Sequence, residues 1–341
     1  MATTKIRNME EFAEVSGVSR PTLSKYFHDP DSVRASTRDK IEKKLAEFNY
    51  RPNIYAMNQN RKLTNNIGIV VPYLADPVFA EFARTIELLC HSAGYRPTVF
   101  TAHGHPEEEV EILEALRAMK PAGLLMAPLG RASDRLEIER FCDDIPTVFF
   151  DSELSGLDVP FVGADNPQFT RTMVEYLCRT GSPPCFFEMK TPANPNARKR
   201  RNSYIETMEA NGHDPQIIQA DGEGWSFEEI GLQAGLKAFE DKAFTSDTIL
   251  CSNDRIAIGL LTAAYEKGIT VGLGANTDIR IAGQDDHPFS RFTCPPLTTI
   301  AQDFEAISRQ SFDLLMAKLN DQEIPMQNSY IEGKLIMRDS A

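Results

Sequence analysis

The chain has little of what marks a secreted or catalytic protein. Its six cysteines (Cys90, Cys142, Cys178, Cys185, Cys251, Cys294) are scattered, with no paired metal-ligand spacing. Most sit among apolar neighbours and read as reduced core thiols, which argues against a disulfide framework. No apolar run approaches the roughly 18 residues of a membrane span, and the start, MATTKIRNMEEF, has no apolar signal region. A cytoplasmic protein is expected. There is no GxxxxGK[ST] phosphate loop and no GxSxG nucleophile turn. The nearest dinucleotide-like run, GLGANT at 272–277, lacks the third glycine and follows an expected helix instead of a strand. HGH at 103–105 has metal-ligand residue types but no third partner, so it reads as polar surface. Asp285 and Asp286 have acid and base chemistry, yet adjacent residues at a strand end point opposite ways. Neither catalysis nor a metal nor a cofactor is expected.

Positive charge is also scarce: 36 Lys and Arg stand against 49 Asp and Glu, a net of −13. That balance alone argues against nucleic acid, but it is unevenly spread. Residues 1–62 carry 12 cations against 8 acids, whereas the remainder carries 24 against 41. A basic head can be drawn to phosphate while an acidic body limits unspecific adhesion.

What is present begins with GVSRPTLSKYF at 17–27. Ser19 is a natural helix N-cap. The helix behind it alternates outward residues (Arg20, Thr22, Ser24, Lys25) with inward ones (Leu23, Phe27). Ahead of it, Met9–Val15 forms another helix with Met9, Phe12 and Ala13 on one face. Gly17 supplies the turn between them, where positive φ is needed. Two short helices, a glycine turn and a second helix dense in hydroxyls and cations make a DNA-reading helix-turn-helix.

From residue 66 onward, short apolar runs alternate with amphipathic helices. Strands are expected at 67–71, 98–101, 123–127 and 147–150, with helices at 78–93, 106–118 and 133–143. A second series follows: strands at 185–189, 216–220, 248–251 and 279–282, helices at 198–211, 226–241 and 254–267, and a strand-like stretch at 329–337. This alternation implies parallel sheets with helices on both faces, arranged as two α/β lobes with a cleft between them. In such sheets ligands bind beyond the carboxyl ends of the strands, where Asp76, Asp151, Asn253, Asp254, Asp285 and Asp286 fall. Asp254 and Asp286 are expected to cap the helices that follow. Between head and body, 51–66 reads either as a polar linker or as a short helix too brief to be stable alone.

These motifs together resemble the lactose repressor family of bacterial transcription regulators. The likeness rests on the head from Ser16 to His28, on Tyr50-Arg51-Pro52-Asn53, and on IGIVVP at 67–72 and DPVFAE at 76–81. It continues through DVPFVGADN at 158–166, SNDRIAIG at 252–259, AGQDD at 282–286 and PPLTTIAQDF at 295–304. The resemblance implies an all-α helix-turn-helix DNA-binding head (1–51), a hinge helix or linker (52–65), and a periplasmic-binding-protein-like effector and dimerisation core (66–341). The core's N-lobe would take about 66–163 and 292–321, and its C-lobe about 164–291 and 322–341. It also implies a bacterial, nucleoid-associated homodimer on an inverted-repeat operator in double-stranded DNA. With no leucine heptad after 329–337, a tetramer is not expected.

Site roles follow by the same resemblance. Arg20, Pro21 and Lys25 would face base edges, and Ser19, Thr22 and Ser24 would contact phosphate. In the hinge, Gln59 stands where many relatives have a minor-groove leucine, so Asn53, Met57, Asn58 and Asn60 are the further groove candidates. In the cleft, Asp76, Phe79, Asp151, Arg200, Trp225, Asn253, Asp285 and Gln302 would hold the effector. An aromatic face ringed by polar side chains suits a sugar, polyol or glycoside. A nucleobase or other metabolite is the alternative ligand. A solute-binding sensor without competent DNA binding is the alternative function. Arg20→Ala is expected to cost about 1–3 kcal/mol of operator binding and to relax specificity at one base pair per half-site. Titration against a set of single-base operator variants checks this, and a uniform loss across them would make Arg20 a phosphate contact.

Overall fold

Asn8 opens the first helix, α1 (Met9–Ser16), by accepting the Glu11 amide on its side chain at 2.9 Å. The computed structural model describes residues 6, 8–28, 30–50, 64–193, 195–322 and 328–341. Gly17 ends α1 with φ of 59°, and its amide bonds to Ala13. After it come α2 (Arg20–His28) and α3 (Ala35–Phe48), which stops at Asn49 in the left-handed region. Their apolar faces meet in a small core of Phe12, Val18, Leu23, Tyr26, Ile41 and Tyr50, with Phe12 stacked on Tyr50 at 4.7 Å. One expectation shifts here. Leu23 is buried as anticipated, but its close partner on the inner face is Tyr26, three residues on, and Phe27 is only half-buried at the flank.

The chain divides at Thr64 and Asn65 into this head and a larger core. The core's first lobe runs β1 (Asn66–Val71), α4 (Pro77–Ser92), β2 (Arg96–Thr101), α5 (Pro106–Met119), β3 (Gly123–Met126), α6 (Arg135–Asp144), β4 (Thr147–Phe150) and β5 (Phe161–Ala164). The second runs α7 (Asn166–Thr180), β6 (Cys185–Met189), α8 (Ala197–Ala210), β7 (Ile217–Ala220), α9 (Phe227–Glu240), β8 (Thr248–Cys251), α10 (Asp254–Glu266) and β9 (Arg280–Ala282). The chain then returns through β10 (Thr299–Ala301), α11 (Phe304–Leu319), β11 (Ser329–Ile331) and β12 (Lys334–Ile336).

Both main sheets are parallel, as the alternation of apolar runs and helices requires. The first has order β11-β5-β4-β3-β1-β2 and the second β7-β6-β8-β9. Several turns into helices carry a side-chain cap: Asp76, Asp134, Asp165, Asn253 and Asp303 each accept an amide of the helix they open. Each such cap stabilises by about 1 kcal/mol and fixes the side chain at the mouth of the sheet.

The stretch 329–337 is not one strand in the C-lobe. Its first part, β11, pairs parallel with β5 in the N-lobe sheet, and β12 pairs antiparallel with β10. Gly333 lies between them, too close to Phe169 and Ile300 for any side chain. Helices α7 and α11 were not anticipated. Both are long and amphipathic, and α11 closes the N-lobe against α4.

Helices α9 and α10 approach closely through glycines. A Cβ at Gly231 would lie 2.4 Å from the Ile256 carbonyl oxygen, and one at Gly259 2.1 Å from that of Glu228. Backbone cannot yield as a side-chain tip can. Gly259→Ala is expected to part the two helices and destabilise the core by about 1–3 kcal/mol. Urea unfolding monitored by far-UV circular dichroism checks this, with Gly274→Ala, where a Cβ meets only an ordinary 3.7 Å contact with Thr277, as the comparison.

Candidate functional site

In the head, Ser19, Arg20, Pro21, Ser24 and Lys25 are exposed on the outer face of α2 and Thr22 is half-exposed. Ser19 directly precedes the helix, with its Oγ 2.8 Å from Thr22 Oγ1. The Arg20 guanidinium pairs with Glu10 at 2.8 Å, both groups well exposed. Such a surface pair contributes about 0–1 kcal/mol. A guanine edge, which offers a bidentate partner worth about 1–3 kcal/mol, can therefore displace Glu10. The hinge candidates Asn53, Met57, Asn58, Gln59 and Asn60 lie outside the described residues.

In the core, the polar residues at the strand ends form one network. Arg200, on the inner face of α8, is 3% exposed. Its Nε donates to Asn166 at 2.7 Å, one terminal nitrogen donates to the Ser252 carbonyl at 2.9 Å, and the other pairs with Asp285. Gln302 donates to the same Asp285 oxygen at 2.7 Å. Asp76 caps α4 and pairs with Arg255 at 3.0 Å across the lobes, while Arg255 also grips Glu228. Asp151 and Asp285 sit at positive φ (59° and 133°), unusual for side chains of this type and held by their surroundings.

Not every residue plays its expected part. Asn253 caps α10 with its own side chain. Asp254 is not the cap: fully buried, it accepts from the His287 amide, Ser290 Oγ and Thr299 Oγ1. Asp286 caps nothing either, and pairs with Arg338 at 2.6 Å. One face of Trp225 is already taken, and the residue is 7% exposed. It stacks on Tyr73 of the opposite lobe at 5.5 Å, with Phe79 and Phe227 edge-on.

An open cavity of about 1320 Å³ lies between the lobes. Of the eight expected effector residues only Trp225 lines it. Asp76, Phe79, Asp151, Arg200, Asn253, Asp285 and Gln302 lie outside its lining. Among the described residues, buried Asp151 Oδ2 and Gln302 Oε1 have no hydrogen-bond partner. His103 and His105 line the cavity, but no group of three or more His, Cys, Asp or Glu that could hold a metal occurs among the described residues. Tyr73, Asn166 and Arg255 are participants that the sequence reading missed. Arg255 stands inside SNDRIAIG, directly after Asn253 and Asp254.

Burial pushes the carboxyls of Asp151 and Asp254 up to about 7, against an ordinary 3.8. For Asp151, Arg200 pulls the other way and the neighbouring Asp285 and Asp76 add to the rise. Each group therefore holds a proton in the folded chain at pH values where the unfolded chain has released it. Core stability is expected to increase as pH falls from about 8 to about 5. Buried His287, whose pKa is lowered by desolvation, opposes this below its ordinary 6.5. Urea midpoints across that range check the slope, and Asp151→Asn should flatten it.

Two family descriptions match the chain. "Bacterial regulatory proteins, lacI family" covers residues 8–53, and "Periplasmic binding protein-like domain" covers 177–341. The transcriptional regulator KdgR of Bacillus subtilis is 27% identical over 341 residues, spanning 99% of this chain and 98% of the relative. The transcriptional repressor CytR of Escherichia coli is 28% identical, spanning 97% and 95%. Among solved structures, the Lac repressor dimer bound to operator and the anti-inducer ONPF superposes with a TM-score of 0.83 at 26% identity, covering 98% of this chain and 99% of that one. Helix-turn-helix head, two parallel-sheet lobes and relatives that match from end to end agree: this chain joins a lacI-type regulatory head to a periplasmic-binding-protein-like domain and is similar along its whole length to bacterial transcription regulators.

Proposed function

We propose that the protein is an operator-binding repressor whose DNA affinity is set by a sugar-like effector between the lobes of its core, and that it acts as a homodimer on an inverted repeat. The observation that carries this is the union, in one chain, of two devices. A helix exposes Arg20, Pro21 and Lys25 on a packed three-helix head, and a two-lobed core encloses a cleft. Arg20 and Lys25 suit guanine O6 and N7, and Pro21 offers apolar contact only. Ser19, Thr22 and Ser24 suit phosphate oxygens.

The effector reading rests on the strand-end network. Asp151, Asp285, Gln302 and Arg200 lie outside the lining of the open cavity, and two buried oxygens among them, Asp151 Oδ2 and Gln302 Oε1, lack partners. Hydroxyl groups supply such donors, and a polyhydroxylated ligand would satisfy them when the lobes part to admit it. The aromatic pair Tyr73 and Trp225 favours a second reading, in which a nucleobase slips against Trp225. In either case linkage requires that effector and operator change each other's affinity by the same factor.

Trp225 is the only tryptophan and stacks on a residue of the other lobe. Ligand-driven lobe movement is expected to unstack it and shift its emission. Titration of neutral sugars, polyols, glycosides and nucleobases against Trp225 fluorescence, beside fluorescence polarisation of a labelled operator pool, checks both halves of the proposal. A saturable shift that also changes operator affinity supports it. Absence of operator binding under every condition would leave only a solute-binding sensor.

A further inference from the structure

The cavity between the lobes is electrostatically unlike the rest of the core. Beyond residue 62 the chain has 24 cations and 41 acids, yet six cations line the cavity against three acids. The cations are Arg131, Arg135, Lys190, Arg198, Lys199 and Arg201, and the acids Glu153, Glu188 and Glu223. Two of these acids are already matched: Lys199 pairs with Glu153 at 3.2 Å and Arg201 with Glu188 at 3.3 Å. Arg135 donates to the Ser155 carbonyl, which leaves its charge uncompensated. Arg131, Lys190 and Arg198 form no ion pair with any described residue. Four unmatched cations thus face one unmatched acid, inside an otherwise acidic domain.

Placement sharpens the point. Arg131 and Arg135 belong to the N-lobe, on the turn after β3 and at the start of α6, while Lys190 and Arg198 belong to the C-lobe. Helix geometry separates the roles within the ARKRR run at 197–201. Arg200 turns inward with Ser203, Tyr204 and Thr207, and the flanking Arg198, Lys199 and Arg201 are left to line the cavity. Like charges on opposing walls resist closure until something neutralises them, and an anion bound between them converts that repulsion into attraction.

We propose that the effector is an anion: a sugar-like molecule bearing a carboxylate or a phosphate, held between Arg131 and Arg135 of one lobe and Lys190 and Arg198 of the other. This rests on the reading of the core as an effector-binding module and adds the charge of its ligand. The hydroxyls face the strand-end network, and the acidic group faces the basic walls.

The test uses the full chain and matched sets of hexoses and pentoses, each as the neutral sugar, its aldonic or uronic acid and its phosphate monoester. Binding is read by thermal shift and calorimetry at fixed ionic strength, with inorganic phosphate and sulfate alongside. At least one charged member should bind about tenfold or more tightly than its neutral parent, and its affinity should fall as salt is raised. The double variant Arg131→Gln/Arg198→Gln should weaken that member by about tenfold or more. Should the double variant fail to fold, Lys190→Gln repeats the measurement on a single exposed residue. Which of the two charged forms of the same sugar, the acid or the phosphate monoester, binds more tightly names the acidic group. Equal binding of neutral parents, no binding by any charged member, unchanged affinity in the variants, or equally tight inorganic anions would each overturn the proposal. Operator binding measured without ligand on the same preparation reports separately on the regulator reading, since neither thermal shift nor calorimetry of the ligand involves DNA.

Discussion

A buried guanidinium organises the core. Arg200 is withdrawn from water, where an unpaired charge would cost several kcal/mol, so each of its nitrogens must find an acceptor. The acceptors come from three different places in the chain: Asn166 at the start of α7, Ser252 after β8, and Asp285 after β9. Satisfying one side chain thus fixes the relative position of two strand ends and two helices. Asp285 accepts the positive φ that this demands, and Gln302 braces it from the segment returning to the N-lobe. Removing any partner leaves charge stranded in low dielectric, which makes the arrangement cooperative.

Asp254 does a similar job one turn away without a cation. Three donors converge on it from the 287–290 loop and β10, tying the C-lobe sheet to the segment that leaves it. With the glycine-to-glycine contact of α9 and α10, this packs the elements of the C-lobe closely together. Stiffness matters for a switch, because a ligand can move a lobe only if the lobe moves as a unit. The polar strand ends therefore tie the strands and helices of the C-lobe to one another.

Much of this was legible in the sequence, and the failures have physical causes. Strands such as 147–150 and 248–251 are buried on both faces, so they stand out as short apolar runs whatever their neighbours. Asp76 and Asn253, expected to hold the effector, instead cap α4 and α10, since the same short polar side chain suits either role. Asp254 was misread because residue type says that a buried aspartate can cap, but not that Asn253 has already taken the place. Helix α7 was missed because its polar residues outnumber the apolar ones and its inward face becomes visible only against α8 and β12. Trp225 lines the cavity, but its stacking on Tyr73 joins residues some 150 apart, which no local pattern encodes. The basic lining was hidden in the same way, since ARKRR reads as one charged run until helical geometry sends its members to different surroundings.

The chain passes between the lobes at three places: around Asp165 between β5 and α7, between β10 and α11, and between β11 and β12. A single tether would let the lobes tumble, and two would let them swing and twist. Three side-by-side tethers leave chiefly one soft motion, a bend about a line through all of them. A few degrees of backbone rotation at that line becomes several ångströms of travel at the far rim. The core is built as a lever with its fulcrum at these crossings, and cutting any one of them would leave the halves still joined.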